Sequence, residues 1–104
     1  MPNPNLSYID ELAMGEQEFK EKLINIIRTE LPAEVDAYYE CFPNNSDLAA
    51  QWVHKLKHKI SILGMSESYE MAVRHEADLR NGSWNSHEEF VRILESMRLF
   101  IEQV

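Results

Sequence analysis

Apolar side chains recur along this chain at three- and four-residue intervals, the spacing that keeps one face of an α-helix out of water. The first such segment is short. Ser7 is placed to cap it, with Asp10 three residues on, and Leu12 and Met14 supply apolar surface. Gly15 separates it from a long run whose early acids, Glu16 and Glu18, suit a helix N-terminus. Phe19, Leu23, Ile24, Ile27, Leu31, Val35, Tyr38 and Phe42 hold one helical phase across Pro32, which predicts a kinked helix rather than two separate ones.

Cys41 to Ser46 reads as a loop, with Pro43-Asn44-Asn45 as turn chemistry and Ser46 as the next cap. The third helix is expected from Asp47 to about Leu63, its core stripe running through Leu48, Trp52, Leu56, Ile60 and Leu63, with Val53 at the margin and Gly64 as the stop. Ser66 is expected to cap a fourth helix with Tyr69, Ala72, Val73 and Leu79 inward, ended by Asn81-Gly82. Ser86 and Glu89 form a capping-box pattern before a last helix carrying Phe90, Ile93, Leu94, Met97, Ile101 and Val104. Four long helices with short connections pack best as antiparallel neighbours. The expected fold is therefore all-α, an antiparallel up-down four-helix bundle with a short additional N-terminal helix, formed by residues 1–104 as a single domain.

Composition narrows the function. The formal net charge of −8 argues against nucleic acid and anionic membrane surfaces as partners. No apolar run approaches the ~20 residues that span a bilayer, and the first residues lack a basic-then-apolar signal pattern, so a cytoplasmic location is expected. The single cysteine, Cys41, has no partner in the chain for a disulfide and is expected to pack as a small apolar residue.

One stretch departs from the acidic background. From Leu48 through Ser66 there is no Asp or Glu, whereas Lys55, Lys57 and Lys59 all fall within it. Lysines late in a helix also complement its dipole, so charge alone does not define a site. On a helical wheel with Trp52, Leu56, Ile60 and Leu63 inward, His54 faces solvent, and Asp47, Gln51, Lys57, His58 and Ser61 share the outer half. An exposed imidazole is a nucleophile at neutral pH, open to an incoming phosphorylated carboxylate. Lys57, one turn on, can screen the phosphoryl oxygens. His54 and His58 at i and i+4 also match half of a helical metal site. Lys55 stands where a zinc-protease helix has Glu, and no acid lies nearby in sequence. His75 and His87 have no comparable surroundings and read as structural or solvent-facing.

The run His54-Lys55-Leu56-Lys57, followed by Leu63-Gly64, resembles the histidine-containing phosphotransfer (HPt) domains of two-component phosphorelays. The similarity extends over the whole chain, through the short first helix, the proline-containing second, Leu79-Arg80-Asn81-Gly82 and Trp84 before the last helix. The resemblance implies that His54 accepts a phosphoryl group from a receiver-domain aspartyl phosphate and passes it to another receiver. It implies no kinase activity and no cofactor on this chain, Mg²⁺ being held by the receiver. Lys57 is the phosphoryl-neighbouring cation. Gln51, Lys55, His58, Ser61 and Gly64 form the docking surface, with Gly64 also ending the helix. The partners implied are response-regulator receiver domains, a hybrid sensor kinase among them, met by a monomer. His58 departs from the family pattern, which has Gly directly after the Lys. A degenerate HPt-like module that binds receivers without efficient transfer is the alternative.

Overall fold

The computed structural model describes residues 3–104. Among them every regular element is helical: α1 (Ser7–Ala13), α2 (Gln17–Glu40), α3 (Ser46–Ile62), α4 (Ser66–Arg80) and α5 (His87–Gln103). The apolar periodicity thus produces helices where it predicts them. None of these helices is long and apolar enough to cross a membrane.

α2 runs unbroken through Pro32. The missing backbone donor is tolerated because the buried face continues on both sides, through Ile24, Ile27 and Leu31 before it and Val35 and Tyr38 after it. At about 1.5 Å per residue, α2 accounts for most of the 44 Å long dimension of the molecule. α3 packs against α2 and α4, α5 packs against the same two helices, and α1 lies on α2. The shared core holds Tyr38, Leu56, Ile60, Leu63, Met65, Leu79, Phe90, Leu94 and Met97, all fully buried.

The helix starts differ from expectation by one residue or by one bond. Ser7, Ser46 and Ser66 are each the first helical residue rather than the cap. α3 is capped by Asn45, whose Oδ1 accepts from the Leu48 backbone N–H at 3.0 Å. Asn45 takes that place because its own N–H closes the preceding turn on the Cys41 carbonyl, leaving it the last non-helical residue. At α1 the Asn5 side chain receives the Ser7 N–H instead. Ser86 does precede α5, but its side chain makes no capping bond. Its ψ of 8° departs from the extended backbone usual at an N-cap, so the box with Glu89 does not form.

The ends behave as the glycines require. Gly64, at φ +76°, turns the chain out of α3, and a Cβ there would meet the Asn5 side chain at 2.6 Å. The Asn5 backbone N–H also donates to the Leu63 carbonyl at 2.8 Å, which ties the N-terminal segment to the end of α3.

The core stripes are turned relative to the expected ones. On α3, Val53 is fully buried, together with Ala49 and Ala50, whereas Leu48 is exposed and Trp52 only half-buried. The large side chains suggested the wrong centre, because alanines let α3 approach its neighbours closely and so define the inner face. On α4, Ser68, Met71 and His75 are inward and Val73 is exposed. Phe19, Phe42 and Val104 are likewise exposed. Cys41 is buried as expected, its Sγ directed to the Ala37 carbonyl.

Candidate functional site

His54 projects from the middle of α3 with its side chain 54% exposed. Its partner comes from α4. The ring Nδ1 lies 3.3 Å from Oε2 of Glu76, a carboxylate that is itself only 13% exposed. The other oxygen, Oε1, sits 2.9 Å from Nζ of Lys57, and Arg80 reaches Oε2 at 3.0 Å from one turn further along α4. Burial pushes the Glu76 carboxyl up, but Lys57, Arg80 and His54 together outweigh it and hold it below the usual carboxylate range. Glu76 is therefore an anion at neutral pH.

Lys57 is not on the outer half of α3. It lies about 40° from Val53 on the helical wheel, so turning the core toward Val53 carries Lys57 into the α3–α4 groove. Its side chain is 13% exposed there, with Nζ over the Tyr69 ring at 5.8 Å. Lys59 moves further in. It is buried and bonded to Glu30 at 3.0 Å and Glu34 at 2.9 Å on α2. Burial pulls the Lys59 ammonium down in pKa, and the two carboxylates reverse this to a net rise. The stretch without acids is acid-free only along the chain. In space, α2 and α4 supply carboxylates to two of its three lysines.

Lys55 remains exposed, its Nζ 4.8 Å above the Trp52 ring. Gln51, His58 and Ser61 are exposed with His54, and the His58 ring stands edge-on to the His54 ring at 5.4 Å. Gly64 lies apart from this patch, partly covered and against Asn5. Among the described residues no three His, Cys, Asp or Glu side chains converge as a metal cluster would require.

Glu76 is the site residue that the linear reading missed. A signal for it existed: α3 and α4 are joined by a tight connection at Gly64-Met65, and His54 and Glu76 lie equally far before and after Met65. In an αα-hairpin such positions stand opposite each other.

A second histidine cluster lies inside. His75, fully buried, places Nε2 2.7 Å from the Tyr38 hydroxyl, and His87 places Nδ1 at 2.7 Å from the same oxygen. The His75 Nδ1 is buried without a partner. An orphaned acceptor costs less than an orphaned N–H, so the favoured arrangement has His75 Nε2–H donating to Tyr38 and Tyr38 donating to His87. Burial first, and then His87, lower the His75 pKa to about 4; burial also lowers that of His87 and raises that of Tyr38. Phe42 stacks on His87 at 4.2 Å, and Trp84 meets Phe42 edge-on at 4.8 Å. Desolvated and neutral, this cluster has a structural character that the exposed pair lacks.

The chain matches no family model, and no curated protein or solved structure matches it.

Proposed function

We propose that the chain is a histidine phosphotransfer protein of the HPt type, which accepts a phosphoryl group on His54 from a receiver-domain aspartyl phosphate and passes it to another receiver. The observation that carries this reading is the exposed His54 imidazole, with Nδ1 against Glu76 and Nε2 left as the ring nitrogen for attack. The packing of α2 and α4 each against both α3 and α5 supports the antiparallel four-helix bundle that goes with it. The exposed positions Gln51, Lys55, His58 and Ser61 offer a surface beside His54 on which a receiver can dock. Mg²⁺ and its carboxylate ligands belong to the receiver, and this protein has no kinase activity.

One feature favours a second reading. Lys57, the cation needed beside the phosphoryl group, is already paired with Glu76. Together with the bulk of His58, that pairing suits a module that binds receivers without efficient transfer.

The deciding experiment incubates the protein with phosphorylated receivers and follows acid-labile, alkali-stable label. The transfer reading expects label on wild type and none on His54→Gln. Receiver binding with no label selects the second reading. Label that survives the substitution removes His54 from the role.

A further inference from the structure

The imidazole of His58 has no chemical part in the transfer reading, and glycine serves at that place in the family the chain resembles. In the structure it is paired. Residues four apart on a helix stand one above the other, and the His54 and His58 rings, both exposed on the outside of α3, have centroids 5.4 Å apart. A metal bonded to an imidazole nitrogen at about 2.0 Å lies about 3.2 Å from the ring centroid, so two imidazoles on one tetrahedral ion have centroids about 5.2 Å apart. The two rings thus already stand at the spacing of a chelate. Their exposure leaves them free to turn a nitrogen each toward one ion. We propose that His54 and His58 form a reversible Zn²⁺ site, and that zinc held there occupies Nε2 of His54 and blocks its phosphorylation. The blocking role rests on the reading of His54 as phosphoacceptor, whereas the site itself does not.

The two histidine pairs differ in what their nitrogens can reach. His75 Nε2 and His87 Nδ1 are both engaged by the Tyr38 hydroxyl at 2.7 Å, and His75 is fully buried. Among the described residues the outer pair is the one that offers two ring nitrogens to solvent. Local charge permits a dication there. Glu76 engages Lys57 and Arg80, and Glu30 and Glu34 engage Lys59. Lys55 leans over Trp52, which lies about 160° round the helix from His54. The chain as a whole carries a formal charge of −8, which draws cations toward it.

The donor set also selects the ion. Imidazole suits zinc and copper(II), whereas magnesium prefers oxygen, so the Mg²⁺ of a receiver does not compete for this site. Among the described residues no third His, Cys, Asp or Glu joins the pair, and water completes the shell. A structural zinc has four protein ligands and a catalytic one three, so an ion held by two exchanges readily and follows the free zinc concentration. Zinc and phosphorus need the same electron pair. The Nε2 lone pair that would form the N–P bond is donated to the ion instead, two waters leave zinc, and no proton or electron is transferred.

The test titrates the full chain with ZnCl₂ in a buffer free of chelators and follows the imidazole resonances by nitrogen NMR. The His54 and His58 rings should shift together and saturate at one zinc per chain, those of His75 and His87 should stay in place, and MgCl₂ should move neither pair. Labelling by phosphoramidate, which needs no partner protein, then reads the block. With free zinc at about ten times its Kd, labelling of wild type should fall about ten-fold by mass action and return when EDTA is added. His58→Gln, with one donor fewer, should bind zinc at least about 100-fold more weakly and keep more than about half of its own zinc-free labelling rate in the same solution. Any effect of zinc on the reagent is common to both proteins.

Zinc that moves neither outer ring, or one alone, overturns the site, as does one zinc per two chains or equal affinity in wild type and His58→Gln. Unchanged labelling of wild type with both rings bound overturns the blocking role. Should His58→Gln fail to fold, the wild-type resonances and stoichiometry still decide the site. If zinc binds both rings while phosphoramidate never labels His54, the phosphoacceptor reading fails and the site stands. If His54 is labelled and exchanges with receivers while zinc leaves both rings unmoved, the site fails and the reading stands.

Discussion

Two histidine pairs in this molecule have opposite surroundings. His54 and His58 lie on the outside of α3, open to water, with an anionic carboxylate beside one ring. His75 and His87 converge on the Tyr38 hydroxyl inside the helical packing, and burial lowers the pKa of both. The exposed pair carries little packing and is available for chemistry with a partner. The inner pair closes a polar network on Tyr38 that links α2, α4 and the start of α5. Residue type does not separate these roles. Solvent access and the partner atom do.

The largest difference should appear in stability. Tyr38→Ala removes a fully buried ring and leaves two histidines without their shared hydroxyl, a loss of about 3–5 kcal/mol for a buried aromatic. His54→Gln, at an exposed position, should change stability by less than about 0.5 kcal/mol. Denaturant unfolding of both variants measures the contrast, and a large loss in His54→Gln would break it.

Acid should sharpen the comparison next. The folded-state pKa of His75 is lowered from 6.5 to about 4, so below pH 6.5 the unfolded chain binds a proton that the folded one refuses. Stability is then fully present above pH 6.5, falls as pH drops toward 4, and levels off below that for this group. The lowered pKa of His87 acts in the same direction. At about 1.4 kcal/mol per pH unit, His75 contributes a loss of at most about 3.5 kcal/mol. Unfolding midpoints measured across this range should show the slope in wild type and a shallower one in His75→Asn. An equal slope in both would detach the acid response from the inner cluster.

The smallest effect is expected at Lys57. Its ammonium is held by Glu76 in the α3–α4 groove beside an exposed ring, so Lys57→Ala should slow transfer to or from His54 by about two- to five-fold, more at low salt than at high. Transfer kinetics at two ionic strengths test this. Unchanged rates at low salt would assign Lys57 wholly to holding Glu76.

Local features of the chain are read well from its residues because they are decided within one turn or one loop. The five helices, the exposure of His54, the end of α3 at Gly64 and that of α4 at Asn81-Gly82 belong to this class. They follow from spacing at 3.6 residues per turn and from the freedom of glycine at positive φ. The caps were legible only to within a residue, because Asn45 and Ser46 are both competent and the preceding turn selects between them.

What required the packed molecule is every property set by a second helix. Val53 is central and Leu48 peripheral because α3 meets its neighbours across Ala49 and Ala50. Lys59 is buried because α2 presents Glu30 and Glu34 to it, and Lys57 is neutralised because α4 presents Glu76. Charge along a chain says nothing of charge across a groove, since a Coulomb interaction depends on distance in space and on the local dielectric rather than on separation in sequence. For the same reason four identical imidazoles divide into two that face solvent and two that share a buried hydroxyl.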